Sequence, residues 1–212
     1  MNVRAVRILT ALAFASLCGL AVARGWTIVR FSSAMASVGS NAKQADAVRS
    51  WIAVPGLAGA ASQASLTQVA DPIADIAGTR QRGDDLAAIL SVQPLSSVNW
   101  LSIAGIRLIT GQPFETVLGA LALSSLTGPN EGSVMMQRGV FGLLQWETLP
   151  ADARKRTIAD LAGVILETSV RDDEVAPAKL VLAAKPAATR REVADLLRTG
   201  GVPAAARARM GL

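Results

Sequence analysis

A chain of 212 residues with apolar side chains at 51% and aromatics at 4% has room for one modest domain and an appendage. Its core must be built from small aliphatic groups, as in closely packed helices. It holds no histidine, no tyrosine and a single cysteine, which excludes Ser–His and Cys–His nucleophile pairs, His-ligated zinc and a disulfide framework. The net charge of +5, from 21 Lys+Arg and 16 Asp+Glu, forms no basic stripe, so no nucleic-acid partner is expected.

Arg4 and Arg7 precede "ILTALAFASLCGLAVA", an uncharged run over residues 8–23. As a helix that run is roughly 24 Å long, short of a ~30 Å hydrocarbon core. Ala21-Val22-Ala23 fits the small-x-small pattern of a cleaved signal peptide, with Gly19 as a helix breaker ahead of it. The apolar character resumes after Arg24, however. Reading through Val29 gives 22 residues, with Arg24 snorkelling and Trp26 at an interface. An uncleaved anchor is carried forward; cleavage is its alternative, and a buried core helix is the third reading. Cys18 follows Leu17 rather than the small residue a lipoprotein signal needs, so lipidation is not expected. Anchor or signal, the chain beyond residue 30 is expected across the membrane: inner membrane with a periplasmic body, or secreted if cleaved.

"FSSAMASVGSNAKQ" (31–44) reads as a small, polar juxtamembrane spacer. "NAKQADAVRSWIAV" predicts a short helix with Ala45, Val48, Trp51 and Ile52 on one face, stopped by Pro55-Gly56. Residues 57–80 are rich in Ala, Ser and Gly and carry little pattern, but Asp71-Pro72 predicts a helix start with Pro at the first helical position.

From residue 82 the periodicity sharpens. "GDDLAAILSVQP" predicts a helix with Leu86, Ile89 and Leu90 inward, closed by Pro94. "SSVNWLSIAGIRLITG" follows, capped by Ser96 or Ser97, with Val98, Leu101, Gly105 and Leu108 as the packing stripe and Gly111 at the end. "QPFETVLGALALSSLTG" repeats the plan with Pro113 near the start, Phe114, Val117, Leu118 and Leu121 on one stripe, and Gly128 at the end. "EGSVMMQRGVFGLLQW" and "PADARKRTIADLAGVILE" supply two more helices, the second starting at Pro150 with Ile158, Leu161, Ala162 and Ile165 inward. "TRREVADLLRTGG" opens on a capping box from Thr189 to Glu192 and carries a stripe of Val193, Leu196 and Leu197. It is read as a lid on the last pair of helices, in preference to a partner-docking helix. "AAARARMGL" (204–212) reads as a frayed basic tail.

No window alternates in the strand manner, so the fold class is all-α: an N-terminal membrane helix, then antiparallel helix hairpins joined by short Gly/Pro turns. The expected organisation is 1–30 anchor or signal, 31–70 spacer and short helix, 71–168 helical core, and 169–212 capping helix and tail.

Pro94 and Pro129 both end helices and lie 35 residues apart, close to the ~34-residue period of tetratricopeptide repeats. Residues 82–168 resemble a degenerate array of that family. Trp100 matches the first-helix tryptophan, Ile103 and Ala104 the large–small pair, and Gly111 the turn glycine. Phe114, Val117 and Leu121 match the second-helix packing positions, and the closing proline, Pro129, matches if one residue is inserted near Pro113. In the next unit Gly139 takes the small position, Met135 replaces the aromatic, and "WETLPAD" rebuilds the turn. The resemblance implies that Trp100 is buried between its own helix and the next.

Within that span "LSSLTGPNEG…QRGVFGLLQWETLP" is similar to the helical-repeat segments that accompany bacterial O-antigen ligases and exopolysaccharide polymerases. Thr127, Gly128, Pro129, Asn130, Glu131, Arg138 and Trp146 carry the match, over about 25 residues. The large multi-pass polymerase domain has no counterpart here, so the resemblance implies an accessory role near polysaccharide assembly and no ligase activity.

Helix punctuation also explains the corner: Gly128 ends one helix, Pro129 prevents its continuation, Asn130 caps the next, and Glu131 meets its positive N-terminus. Catalytic alternatives are few. Glu131 and Glu147 flank one helix, and 16 residues of helix separate them by roughly 24 Å. A glycosidase needs its two carboxyls about 5 to 9.5 Å apart. Ser40-Asn41-Ala42-Lys43 matches S-x-x-K without its partner motifs, and Asp172-Asp173-Glu174 reads as a solvated helix end or turn rather than a cation site. No catalytic, cofactor or metal residues are assigned and no cofactor is expected. The leading expectation is a membrane-anchored periplasmic helical-repeat adapter with a protein partner in envelope polysaccharide assembly. The alternative is an exported enzyme acting on envelope glycans through carboxylates.

Overall fold

The structure is a computed structural model that describes residues 3–36, 69–167 and 170–212, with 50, 51, 53, 54, 56, 57, 60, 61 and 66. The Ser40–Lys43 motif and the stripe positions Ala45, Val48 and Ile52 lie outside the described residues. Among the described residues there are nine helices and no strand, so the fold is all-α. The chain divides into two compact units, Met1–Gln93 and Pro94–Leu212.

In the first unit α1 (Val3–Ala36) runs unbroken through Gly19 and the Ala21-Val22-Ala23 site. Its stretch Ala13–Ser33 is long and apolar enough to cross a membrane, and Phe14, Leu17, Leu20, Val22 and Trp26 are all exposed. Thr27 and Ser33 donate their hydroxyls to the carbonyls of Ala23 and Val29, which satisfies both groups within the helix. Near its end Phe31 is buried, edge-on to Trp51.

The second helix, α2 (Ile76–Val92), is 17 residues long, and its start corrects the sequence reading. Asp71-Pro72 does not begin it. The Asp71 carboxylate accepts from the N–H groups of Ile73 and Ala74, closing a separate turn, and these bonds, Ala74's first, hold its pKa below the usual carboxylate value. Asp75 then caps α2 by accepting from the Gly78 N–H at 2.8 Å. Leu86, Ile89 and Leu90 are buried as expected.

The second unit holds seven of the described helices: α3 (Ser97–Ile109), α4 (Phe114–Thr127), α5 (Gly132–Leu144), α6 (Ala151–Leu166), α7 (Asp172–Ala184), α8 (Ala187–Thr199) and α9 (Ala204–Arg209). α3 packs on α4 and on α5; α5 packs on α6 and α7; α8 and α9 both lie against α6. A core of Met136, Leu143, Trp146, Leu161, Val164, Val175, Leu182, Val193, Leu197 and Met210 runs through α5–α9.

Three expectations are corrected here. The buried side of α3 comprises Ser97, Leu101, Ile103, Ala104 and Ile106, while Val98 is 44% exposed. The small side chains of Ser97 and Ala104 admit the neighbouring helix, so the face is rotated from the Val98–Gly105 stripe. Next, three helices occupy the region expected to hold one capping helix and a tail. Pro177 lies inside α7 and disguises it, because proline inside a helical pattern reads as a break. Three acids in the first turn favour that helix's positive end. Finally, the tail is not frayed: Met210 is buried, and Arg209 binds the Asp172 carboxylate and the Ile165 and Val170 carbonyls.

Glycine brings α5 and α6 together. A Cβ on Gly139 would lie 2.5 Å from Leu161 Cδ2, and one on Gly142 would lie 2.1 Å from Thr157 Oγ1. Gly139 therefore serves as the small residue of its helix, in van der Waals contact with the facing one.

Candidate functional site

The corner between α4 and α5 is a polar network drawn from four helices. α4 ends at Thr127 with Gly128 as its cap, at φ −143°. Glycine at 128 thus answers a need for space, not for left-handed backbone: a Cβ there would sit 2.6 Å from Ser97 Cβ and 2.7 Å from Glu131 Cδ. Pro129 is exposed. The N-cap of α5 is Glu131, not Asn130, and its carboxylate makes no capping bond. It turns instead to α3 and accepts from the Ser97 hydroxyl at 2.5 Å. Ser124 on α4 donates its own hydroxyl to the Ser97 carbonyl at 2.8 Å.

Arg138 anchors the other side. It is 1% exposed, one turn along α5 from Val134. Its Nε and Nη2 donate to the Asp160 carboxylate of α6 at 2.9 and 2.7 Å. Its Nη1 donates to the carbonyls of Ser124 and Gly128, both at 3.1 Å. The cation therefore meets two carbonyls at the negative end of α4, one of which, Ser124, also accepts the Gly128 N–H, and the bidentate pair offsets the desolvation of both charges. Glu131, Ser97, Ser124, Arg138 and Asp160 form one chain of contacts across α3, α4, α5 and α6.

A second cluster closes the far end of α5. Trp146 is 1% exposed, and its indole N–H donates to Glu192 Oε2 of α8 at 3.0 Å. The Arg154 guanidinium lies 5.5 Å from the Trp146 ring centroid, donates to the Trp146 carbonyl, and donates to Glu192 Oε1. Beside it Lys185 donates to Glu147 at 2.7 Å and to the Leu144 carbonyl. The Lys185 ammonium, hydrogen-bonded to Glu147, and the residue's own backbone N–H hold the Glu147 carboxyl below its usual range.

These bonds correct the capping box expected at Thr189 and Glu192. α8 starts two residues before Thr189, after Pro186, so Glu192 is free to reach Trp146. The apolar residues Val193 and Leu197 are fully buried, so α8 lies over the α5–α6 turn with its apolar stripe in the core.

The other residues that carry the tetratricopeptide resemblance are divided between core and surface. Ile103 and Ala104 are buried. Gly111 has φ +71°, the left-handed backbone its turn position requires. Phe114 is half-buried at the start of α4. Trp100 is half-buried, not enclosed, and its indole N–H donates to the Pro94 carbonyl at 2.7 Å. Asp172, Asp173 and Glu174 make the first turn of α7, with Asp172 paired to Arg209 and the other two to Arg171.

Sequence reading missed Ser97, Ser124, Asp160, Arg154 and Glu192 as members of these clusters. A signal existed for part of this: Val134, Arg138 and Gly142 recur every four residues on α5, and Ala153, Thr157, Asp160 and Val164 share a buried side of α6. Opposite charges at inward positions of consecutive helices mark a buried pair.

Chemically the corner is a clasp. Ser97 is 2% exposed, so a hydroxyl that faces a carboxylate here is closed to a substrate. Among the described residues no group of three His, Cys, Asp or Glu side chains is placed to hold a metal ion. No protein-family model matches the chain, and neither a curated protein nor a solved structure does so.

Proposed function

We propose that this protein is a non-enzymatic, membrane-anchored helical-repeat adapter whose body lies in the periplasm and serves envelope polysaccharide assembly. The observation that carries the scaffold reading is the order of packing in the second unit. α3 contacts both α4 and α5, and α5 contacts both α6 and α7. In a solenoid of helix pairs the first helices line up, and each second helix backs its own first. The Arg138–Asp160 pair supports the same reading. It joins a second pair (α5, α6) to the end of the first (α4) and commits Arg138, the most deeply buried charged side chain among the described residues, to structure rather than chemistry. The anchor rests on α1 and the polysaccharide context on the resemblance around the corner.

The test is photo-crosslinking in cells from exposed positions Ser133 and Gln137 of α5, followed by recovery from detergent-solubilised membranes. Capture of a polysaccharide-assembly protein, together with lost surface polysaccharide when the chain is deleted, is the expected result. Hydrolysis of envelope glycan by the purified chain would overturn the adapter reading.

A further inference from the structure

The α3–α4 hairpin leaves one side bare. Ser124 Oγ donates to the Ser97 carbonyl at 2.8 Å and Arg107 Nη1 to the Thr116 carbonyl at 2.7 Å. These two bonds set the helices antiparallel with Gly105 and Gly119 at about the same level. α3 and α4 carry one charged residue each, Arg107 and Glu115, and both stand near the Gly111 turn.

Along α3 the residues Val98, Ser102, Gly105 and Ile109 follow one another at helical spacing, the first 44% and the last 39% exposed. On α4 the corresponding line is Gly119, Ala122 and Leu126, with the leucine 76% exposed. A Cβ on Gly105 or Gly119 would meet nothing within 4 Å. The middle of the bare side is therefore low, and larger apolar side chains raise its ends. At the chain's last long helix the arrangement is the reverse. There α8 buries Val193 and Leu197 and turns Arg190, Arg191, Asp195 and Arg198 to solvent. That is the polar outer side that a terminal element of a helical stack requires, and α3–α4 lacks it.

We propose that the bare side of α3–α4 pairs with the same side of a second copy of this chain, about a two-fold axis along the membrane normal. Charge, symmetry and area choose this occupant. Beyond the turn neither line carries a charge, so an identical copy meets no like charge, while a charged partner finds nothing to pair with. A two-fold contact closes on itself and covers the uncapped side of both copies at once. Two helices of 13 and 14 residues side by side offer roughly 400 Å², from ~20 Å of length and ~10 Å of width each. That is about half of what one partner contributes to a standard stable complex. So small a face holds a soluble partner weakly, whereas two copies anchored by α1 share one bilayer, which raises the concentration each presents to the other. Glycine at the middle of each line lets the paired backbones approach closely. The proposal rests on the anchor reading of α1 and not on the polysaccharide role.

The test uses the full chain in phosphatidylcholine vesicles, with Cys18→Ser and Arg190→Cys so that a donor or acceptor dye sits on α8, outside the face. Flotation is measured first, then energy transfer between copies as lipid is added. The chain floats and shows transfer that falls only on strong dilution in lipid. Leu126→Glu, which puts a charge into the face of both copies, floats and melts as the parent does but associates about tenfold more weakly or worse. Gly119→Leu fills the low middle of the face and loses transfer too. Leu180→Glu, a leucine of α7 that is 73% exposed, keeps the parent's transfer. No transfer in the parent chain, or equal transfer in Leu126→Glu and Leu180→Glu, would overturn the pairing and leave the anchor standing. Labelling of Ala122→Cys by a water-soluble maleimide then reads the face directly. In a chain without transfer, protection at this position would assign the face to lipid or to the protein's own chain, and free labelling would leave it uncovered; either result overturns the second copy. A chain that fails to float would overturn the anchor and, with it, the confinement on which the pairing depends.

Discussion

Arg138 and Asp160 form a bidentate pair at 2.9 and 2.7 Å between α5 and α6, with Arg138 only 1% exposed. Removing one partner strands the other charge, so Asp160→Ala is expected to cost about 3–5 kcal/mol. Replacing both, as Arg138→Met with Asp160→Leu, should recover much of that loss. Urea midpoints at unchanged m-value measure both. A single substitution that costs less than about 1 kcal/mol would mean the pair is wet.

The corner clasp makes Glu131 a tertiary contact as well as a helix start. Glu131→Gln and Ser97→Ala should each destabilise, and a double-mutant cycle should return a coupling of roughly 0.5–1.5 kcal/mol. Any crosslink obtained from Ser133 or Gln137 should survive in both variants if the proposed adapter role holds. Loss of that crosslink in a folded Glu131→Gln protein would make the carboxylate a binding contact.

Glycines in this chain divide by what faces them. Gly142→Ala drives a Cβ to 2.1 Å from Thr157 Oγ1 and is expected to cost about 1–3 kcal/mol by overpacking. At Gly105 and Gly119, in mid-helix, an added methyl would meet nothing within 4 Å. Their alanine variants should gain about 0.5–1 kcal/mol from helix propensity and a stiffer unfolded chain. Thermal melts of the three variants separate the cases.

The two tryptophans of the second unit, Trp100 and Trp146, should differ. Trp146→Ala empties a fully buried site and removes the donor to Glu192, so a loss of about 3–5 kcal/mol is expected. Trp100, half-buried, should lose markedly less. Equal losses would mean that Trp100 is enclosed after all.

Acid should weaken the α8 cover. The Glu147 pKa is depressed, chiefly by Lys185, from an unfolded value of 4.5. Its contribution is therefore present in full above about pH 4.5 and is lost as pH falls through the lower folded value. The pH-dependent change in midpoint below that point should shrink in Lys185→Met.

Sequence alone determined the helical class, the apolar N-terminal helix and most of the punctuation: Pro113, Pro150, Gly111 and Gly128 stand where helices start or stop. Those features are local, because fixed φ, a missing N–H or a 3.6-residue period acts within a turn or two of chain. α7 escaped notice because a local rule, proline as a breaker, was outweighed by Val175, Ala178 and Leu182 finding a core to enter. The rotation of α3, the turn of Glu131 toward Ser97 and the reach of Glu192 to Trp146 were decided only in three dimensions. Their partners lie 34 and 46 residues apart, and no local energy distinguishes them. They follow from which small residues allow two helices to approach, and from the cost of leaving a charge or an indole N–H buried without a partner.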